Sequence, residues 1–102
     1  MATEDKTGLT PAQIDEELRS LEGWSRSESV ISRAFVFRNY RDLTSFLNHL
    51  TQTITSQNHH PDFGLNTGMR LIWVALTTHS KKALTRSDLN FARTLNSWTP
   101  GA

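Results

Sequence analysis

Histidine is the side chain whose charge changes most readily near neutral pH, and this chain carries four, at positions 49, 59, 60 and 79. They do not stand in equivalent settings. His59 and His60 are adjacent and are followed by Pro61. Neighbouring side chains point to opposite faces of a strand and diverge by about 100° on a helix. Two adjacent imidazoles therefore meet at one ligand only where the backbone turns, and a helix exit ended by proline supplies such a turn. The same triplet also suits a plain helix C-terminus, where cations favour the dipole. His79 closes Leu76-Thr77-Thr78-His79, at the rim of an apolar strand. A rigid strand end can hold a reactive group beside an open loop, although a solvated strand end serves equally well as the reading. His49 falls one position from the apolar stripe of a helix and reads as a boundary residue. Thr85 and Asp88 have helix-cap spacing, which accounts for Asp88 without a functional role. Three histidines could also bind a metal. Metal ligands usually share a helix or hairpin face, however, and adjacent histidines without a paired acid fit that badly, so no metal is assigned.

These groups need elements to hold them, and the rest of the chain supplies candidates. Residues 1–8 are polar and aperiodic and read as a flexible tail. Thr10, Pro11 and Gln13 have the arrangement of a capping box with proline at the first helical position. Leu9 and Ile14 are spaced as a hydrophobic staple; Ile14, Leu18 and Leu21 repeat at helical spacing, and Gly23 is the expected terminator. Val30 to Arg38 alternates as a strand, with Ile31, Phe35 and Phe37 on one face. The polar run Ser25 to Ser29 reads as a hairpin connection, which leaves Trp24 to a short preceding strand. Asn39 caps a second helix, whose stripe is Leu43, Phe46, Leu47, Leu50 and Ile54. Four threonines make this helix intrinsically poor. Asp62 to Asn66 and Met69 to Thr78 follow as strands joined near Asn66-Thr67-Gly68. The second of these is apolar on both faces and belongs inside the sheet. Thr85 opens the last helix, with Leu89, Ala92, Leu95 and Trp98 facing the core. Adjacent strand pairs imply antiparallel pairing, and helices with one apolar stripe need a sheet face to cover, so the class is α+β.

Composition narrows the function. At 102 residues, with 36% hydrophobic and 21% charged residues, the chain suits one globular domain, over residues 9–99. A net charge of +1 from scattered residues gives no footprint for nucleic acid. The absence of cysteine excludes disulfides, thiolate chemistry and cysteine zinc sites. There is no apolar leader and no run of the ~20 residues a bilayer span needs, so a cytoplasmic location is expected, or a nuclear one in a eukaryote.

The residues also resemble a known family. Asn58-His59-His60-Pro61-Asp62-Phe63, Leu76-Thr77-Thr78-His79, and Leu84-Thr85 with Asp88 look like the signature of the pterin-4a-carbinolamine dehydratases. The resemblance extends upstream through Leu9-Thr10, Leu21-Glu22-Gly23-Trp24 and Phe35-Val36-Phe37. It implies a four-stranded antiparallel sheet with three helices packed on one face, in the order αββαββα, and a homodimer or homotetramer. It implies His59, His60 and His79 as catalytic residues, with Asn58, Pro61, Phe63, Thr77, Thr78 and Ser80 around the pterin, and Asp88 and Thr55 in support. The implied reaction is dehydration of a tetrahydropterin hydroxylated at C4a, in support of tetrahydrobiopterin recycling, with no cofactor because no redox change occurs. Imidazoles suit it, since an acid and a base near neutral pH are both required.

The pattern is not reproduced everywhere. One turn before His59, where the family often has an acidic or long polar residue, stands Thr55. Phe63 replaces a usual tryptophan, Ala83 replaces a common glycine, and the stretch from His60 to His79 is slightly longer than typical. Relatives of this fold also act as non-catalytic binding modules, as transcriptional dimerisation cofactors or assembly factors, so a protein partner is the alternative expectation.

Overall fold

Apolar residues on both faces put one strand at the centre of the sheet, and the computed structural model, which describes residues 5–100, is built around it. The elements are α1 (Pro11–Leu18), β1 (Ser25–Ser27), β2 (Val30–Val36), α2 (Tyr40–Gln57), β3 (Asp62–Asn66), β4 (Leu71–Leu76) and α3 (Arg86–Asn96). The four strands pair antiparallel in the order β1-β2-β4-β3, and the three helices pack on one face. This is the expected α+β architecture. On the helix side β4 offers Ile72, Val74 and Leu76, paired in register with Leu65 and Phe63 of β3 and with Phe35, Arg33 and Ile31 of β2. Ile14 of α1, Phe46 and Leu50 of α2, and Leu89, Phe91 and Leu95 of α3 close over them, all buried. Phe46 lies 4.4 Å from Phe35 and 5.2 Å from Phe37 between ring centroids, and Trp98 meets Phe37 and Phe46 edge-on. No helix among the described residues is long and apolar enough to cross a membrane.

Several boundaries differ from the sequence reading, each for a local reason. α1 has its capping box, with Gln13 N–H donating to Thr10 Oγ1 and Thr10 N–H to Gln13 Oε1. It ends at Leu18, however, and Leu21 enters the core from a turn in which its N–H donates to the Leu18 carbonyl. Gly23 belongs to that turn; its φ of 85° and the Arg33 side chain packed over it leave no place for a Cβ. The polar run after Trp24 is itself strand β1: Ser27 pairs with Val30 and the two-residue turn places Glu28 at φ 54°. A three-residue edge strand needs no apolar alternation. β4 loses both predicted ends, since Met69 and Arg70 form the turn from β3 and Thr77-Thr78 run beyond the ladder. The threonine-rich α2 runs its full length on its packed stripe, Leu43, Phe46 and Leu50 being buried, while the hydroxyls of Thr44, Thr53 and Thr55 donate to carbonyls one turn back.

The expected tail divides. Residues 1–4 lie outside the described residues, but 5–8 are laid against the start of α3. The Arg86 N–H donates to the Thr7 carbonyl (2.9 Å) and the Ser87 N–H to the Asp5 carbonyl (2.7 Å), so two N-terminal donors that the helix itself leaves unpaired are satisfied by this segment. Leu9 N–H continues the contact at the Leu84 carbonyl.

Glu17 ties α1 to α3. Its Oε1 accepts from Arg86 Nη1 at 2.6 Å and Arg93 Nη2 at 3.0 Å. The Arg86 hydrogen bond, above all, holds the carboxyl below its ordinary pKa, with Arg93 adding to it. A depressed folded-state pKa stabilises the fold above the unfolded carboxyl's pKa and loses that contribution as pH falls through the folded value. Glu17→Gln should therefore cost about 0.5–1 kcal/mol at neutral pH. Chemical denaturation should show the gap closing on acidification through the carboxylate range.

Candidate active site

Three chain segments converge at one end of the sheet, and each is shaped by a local rule. The first is the exit of α2. Asn58 caps it in the left-handed conformation (φ 51°, ψ 41°), a geometry asparagine tolerates better than most residues. The reversal sends His59 inward, 4% exposed, while His60 stays outside and half-buried Pro61 leads into β3. This is the backbone turn that two neighbouring imidazoles need in order to serve one pocket. The second segment leaves β4. Thr78 N–H donates to the Ala83 carbonyl, closing a tight turn that presents His79 and Ser80, both exposed. His79 thus sits in the turn past the strand, not at the strand's last residue. The third is the first turn of α3, where Asp88 is fully buried.

Asp88 connects all three. Its Oδ1 lies 2.6 Å from His59 Nε2. Its Oδ2 accepts from the Thr78 hydroxyl at 2.8 Å and from the Thr85 N–H at 2.9 Å. Thr78 and Thr85 hydroxyls are themselves 2.7 Å apart. The cap spacing and a role at the site were alternatives in the sequence; here one oxygen caps the helix and the other holds the imidazole. Phe91 packs on the His59 ring, with centroids 5.9 Å apart. Its own full burial was absent from the predicted stripe of α3.

A cavity of about 290 Å³ opens in front of this cluster, lined by Lys6, Asn58, His59, His60, Thr77, Thr78, His79 and Ser80. Its size lies at the small end of ligand pockets. Asn58, Thr77, Thr78 and Ser80 are therefore brought together with the three histidines. Besides Asp88, which stands behind His59, three candidates are not among its lining residues. Pro61 shapes the exit from α2. Phe63 stands on β3, 39% exposed, and Thr55 is exposed with its hydroxyl on the Thr51 carbonyl of its own helix. His49 is half-buried and its Nε2 donates to the Thr94 carbonyl of α3, which makes it a tie between helices. Lys6 is the lining residue that sequence reasoning missed, since only the docking of residues 5–8 on α3 brings it here. Among the described residues no three His, Cys, Asp or Glu side chains are gathered to hold a metal ion. Chemically, the cavity offers titratable imidazoles, one of them fixed in direction by a carboxylate, beside hydroxyl and amide groups that can orient a polar heterocycle.

Comparison with known proteins bears on the family and the fold. The family model described as pterin 4 alpha carbinolamine dehydratase matches residues 7–98. A relative from Sulfurisphaera tokodaii is 34% identical over 86% of this chain and 92% of its own length. Another, from Mycobacterium avium, is 33% identical over the same shares. Both are provisionally named pterin-4-alpha-carbinolamine dehydratases. The crystal structure of a transcriptional coactivator/pterin dehydratase from Brucella melitensis superposes with a TM-score of 0.81 at 28% identity, covering 89% of this chain and 97% of that one.

Removing Asp88 leaves the His59 ring, the Thr78 hydroxyl and the Thr85 N–H without their shared buried partner. Asp88→Ala should therefore lower unfolding free energy by about 3 kcal/mol, read from denaturant titration, against about 1 kcal/mol for Thr78→Val. Equal costs for the two would show that Asp88 is not the hub of this cluster.

Proposed function

Because the chain belongs to the pterin 4 alpha carbinolamine dehydratase family, we propose that it dehydrates 4a-hydroxytetrahydropterin to the quinonoid dihydropterin and water. The observation that supports this best is the placing of the Asp88-held His59 and the exposed His79 on opposite segments of one cavity. In the reaction the C4a–O bond breaks and the hydroxyl leaves as water after gaining a proton. N5 loses its proton, and its electron pair forms the C4a=N5 bond. Atoms and charge balance with one acid and one base, without oxidant or reductant. An imidazole can serve in either capacity near neutral pH.

His59 is assigned as the acid. The Asp88 carboxylate compensates its positive charge while it carries a proton and fixes the ring's direction, as the buried aspartate does in a catalytic triad. His79, on the far turn, is assigned as the base at N5. His60, exposed at the same mouth, orients the ring together with Asn58, Thr77 and Ser80. Thr55 has no part in this assignment, and Phe63 none in contact with the ring. A homodimer or homotetramer, working in the cytoplasm, is proposed with it. Exposed Val36, Leu65, Met69 and Trp73 are apolar surface that a second copy could cover. A coactivator-like role is the second reading; it rests only on the likeness to the Brucella transcriptional coactivator/pterin dehydratase.

His59→Ala and His79→Ala should each slow enzymatic dehydration on the order of 10²–10⁴-fold, while His60→Ala acts mainly on KM. Stopped-flow absorbance of the quinonoid product reads these effects. Near wild-type rates in both of the first two variants would refute the acid–base assignment.

A further inference from the structure

Residues 5–8 wall one side of the cavity without belonging to the core. Asp5, Lys6, Thr7 and Gly8 are all exposed, and none carries an apolar side chain. The chain is anchored just beyond them, where Leu9 is partly buried against the core and its N–H donates to the Leu84 carbonyl. Gly8 stands in open space between the anchored and the unanchored part. The fastenings of the segment are polar. The Arg86 and Ser87 N–H groups donate to the Thr7 and Asp5 carbonyls, and Lys6 Nζ donates to Ser80 Oγ, 3.3 Å away on the His79 turn. Asp5 keeps the segment's shape, its carboxylate accepting from the Thr7 hydroxyl at 2.6 Å and the Thr7 N–H at 3.0 Å.

The net gain from one such hydrogen bond in water is comparable to the entropy lost in ordering one residue. Four exposed residues held in this way stand near the balance between docked and free, unlike the apolar-packed elements around them. The donors they cover matter to the site. Arg86 and Ser87 immediately precede Asp88, so the docked segment lies against the buried turn from which Asp88 holds His59.

We infer that residues 5–8 are a strap that opens and closes at Gly8, and that a ligand in the cavity holds it closed. The ligand is the pterin proposed above, so the inference rests on that reading. The direction of coupling follows from the space available. With the strap docked the cavity still measures about 290 Å³, so closure walls the site and does not fill it. A ligand shifts an equilibrium only through contacts that differ between the two states. Lys6 supplies them, because it lines the cavity only while the strap is docked. The stem of its side chain offers that contact whatever the ammonium pairs with.

Hydrogen exchange at Arg86 and Ser87 reads docking directly, since theirs are the N–H groups that the strap covers. NMR follows these amides in wild type with and without a stable 7,8-dihydropterin as probe. Leu95 inside α3 and Met69 in the distant β3–β4 turn serve as references. In the free protein Arg86 and Ser87 should exchange more than about tenfold faster than Leu95. The probe should slow them about five- to tenfold and leave Met69 within about twofold. Asp5→Ala, which loosens the strap's turn, should speed their exchange and weaken probe binding by about threefold or more. Asp5→Asn, which keeps an acceptor for Thr7, should stay near wild type in both. Slow exchange at Leu95 shows that each variant is folded. Exchange at Arg86 and Ser87 that matches Leu95, ignores a bound probe or quickens with it would overturn the inference and leave the pterin reading standing. Unchanged probe affinity in Asp5→Ala would do the same. Failure of the probe to bind wild type, read by quenching of its fluorescence, would overturn both.

Discussion

A carboxylate sealed from water must be given nearly all of its hydrogen bonds by the protein, or its burial costs several kcal/mol. Asp88 is such a group, and its demands organise one end of the molecule. It draws His59 from the exit of α2, Thr78 from beyond β4, and the backbone of Thr85 at the start of α3. Every buried side-chain polar atom among the described residues has a partner. The result is a joint between elements far apart in sequence, built from polar groups at the edge of an apolar core.

The joint also explains why the site is rigid on one side and open on the other. His59 is fixed because its ring lies between Asp88 and Phe91. His79 and Ser80 ride on a turn closed by the Thr78–Ala83 bridge, exposed but anchored at its base. A group directed by a buried carboxylate, facing another that is solvated, gives two imidazoles unlike surroundings. Differing environments can let one residue type serve as both acid and base, which is what the proposed assignment uses.

Much of this was legible in the sequence where short-range rules act. The Thr10-Pro11-Gln13 box, the Asn39 cap, the α2 stripe and the central place of β4 follow from spacing and side-chain chemistry. What failed was set by tertiary context. Ser25–Ser27 reads as connection but pairs with β2, because an edge strand is judged by its partner. Phe91 lies outside the expected stripe because α3 is covered over a wider arc. Lys6 was lost to a tail because nothing in a polar octapeptide announces that α3 needs its carbonyls. Of the site, the His59-His60-Pro61 turn could be argued from geometry, whereas the double duty of Asp88 could not, since a cap already accounted for it. Thr55 and Phe63 entered by resemblance alone, and neither lines the cavity.

The central claim is chemical, that this cavity removes water from a C4a-hydroxylated tetrahydropterin. The most direct measurement generates that carbinolamine fresh, at near-neutral pH, and follows quinonoid dihydropterin with and without the unaltered protein. The account predicts catalytic acceleration over spontaneous dehydration, proportional to protein concentration and saturable in substrate. A rate that stays at the spontaneous value, with folded protein present in excess, would contradict it.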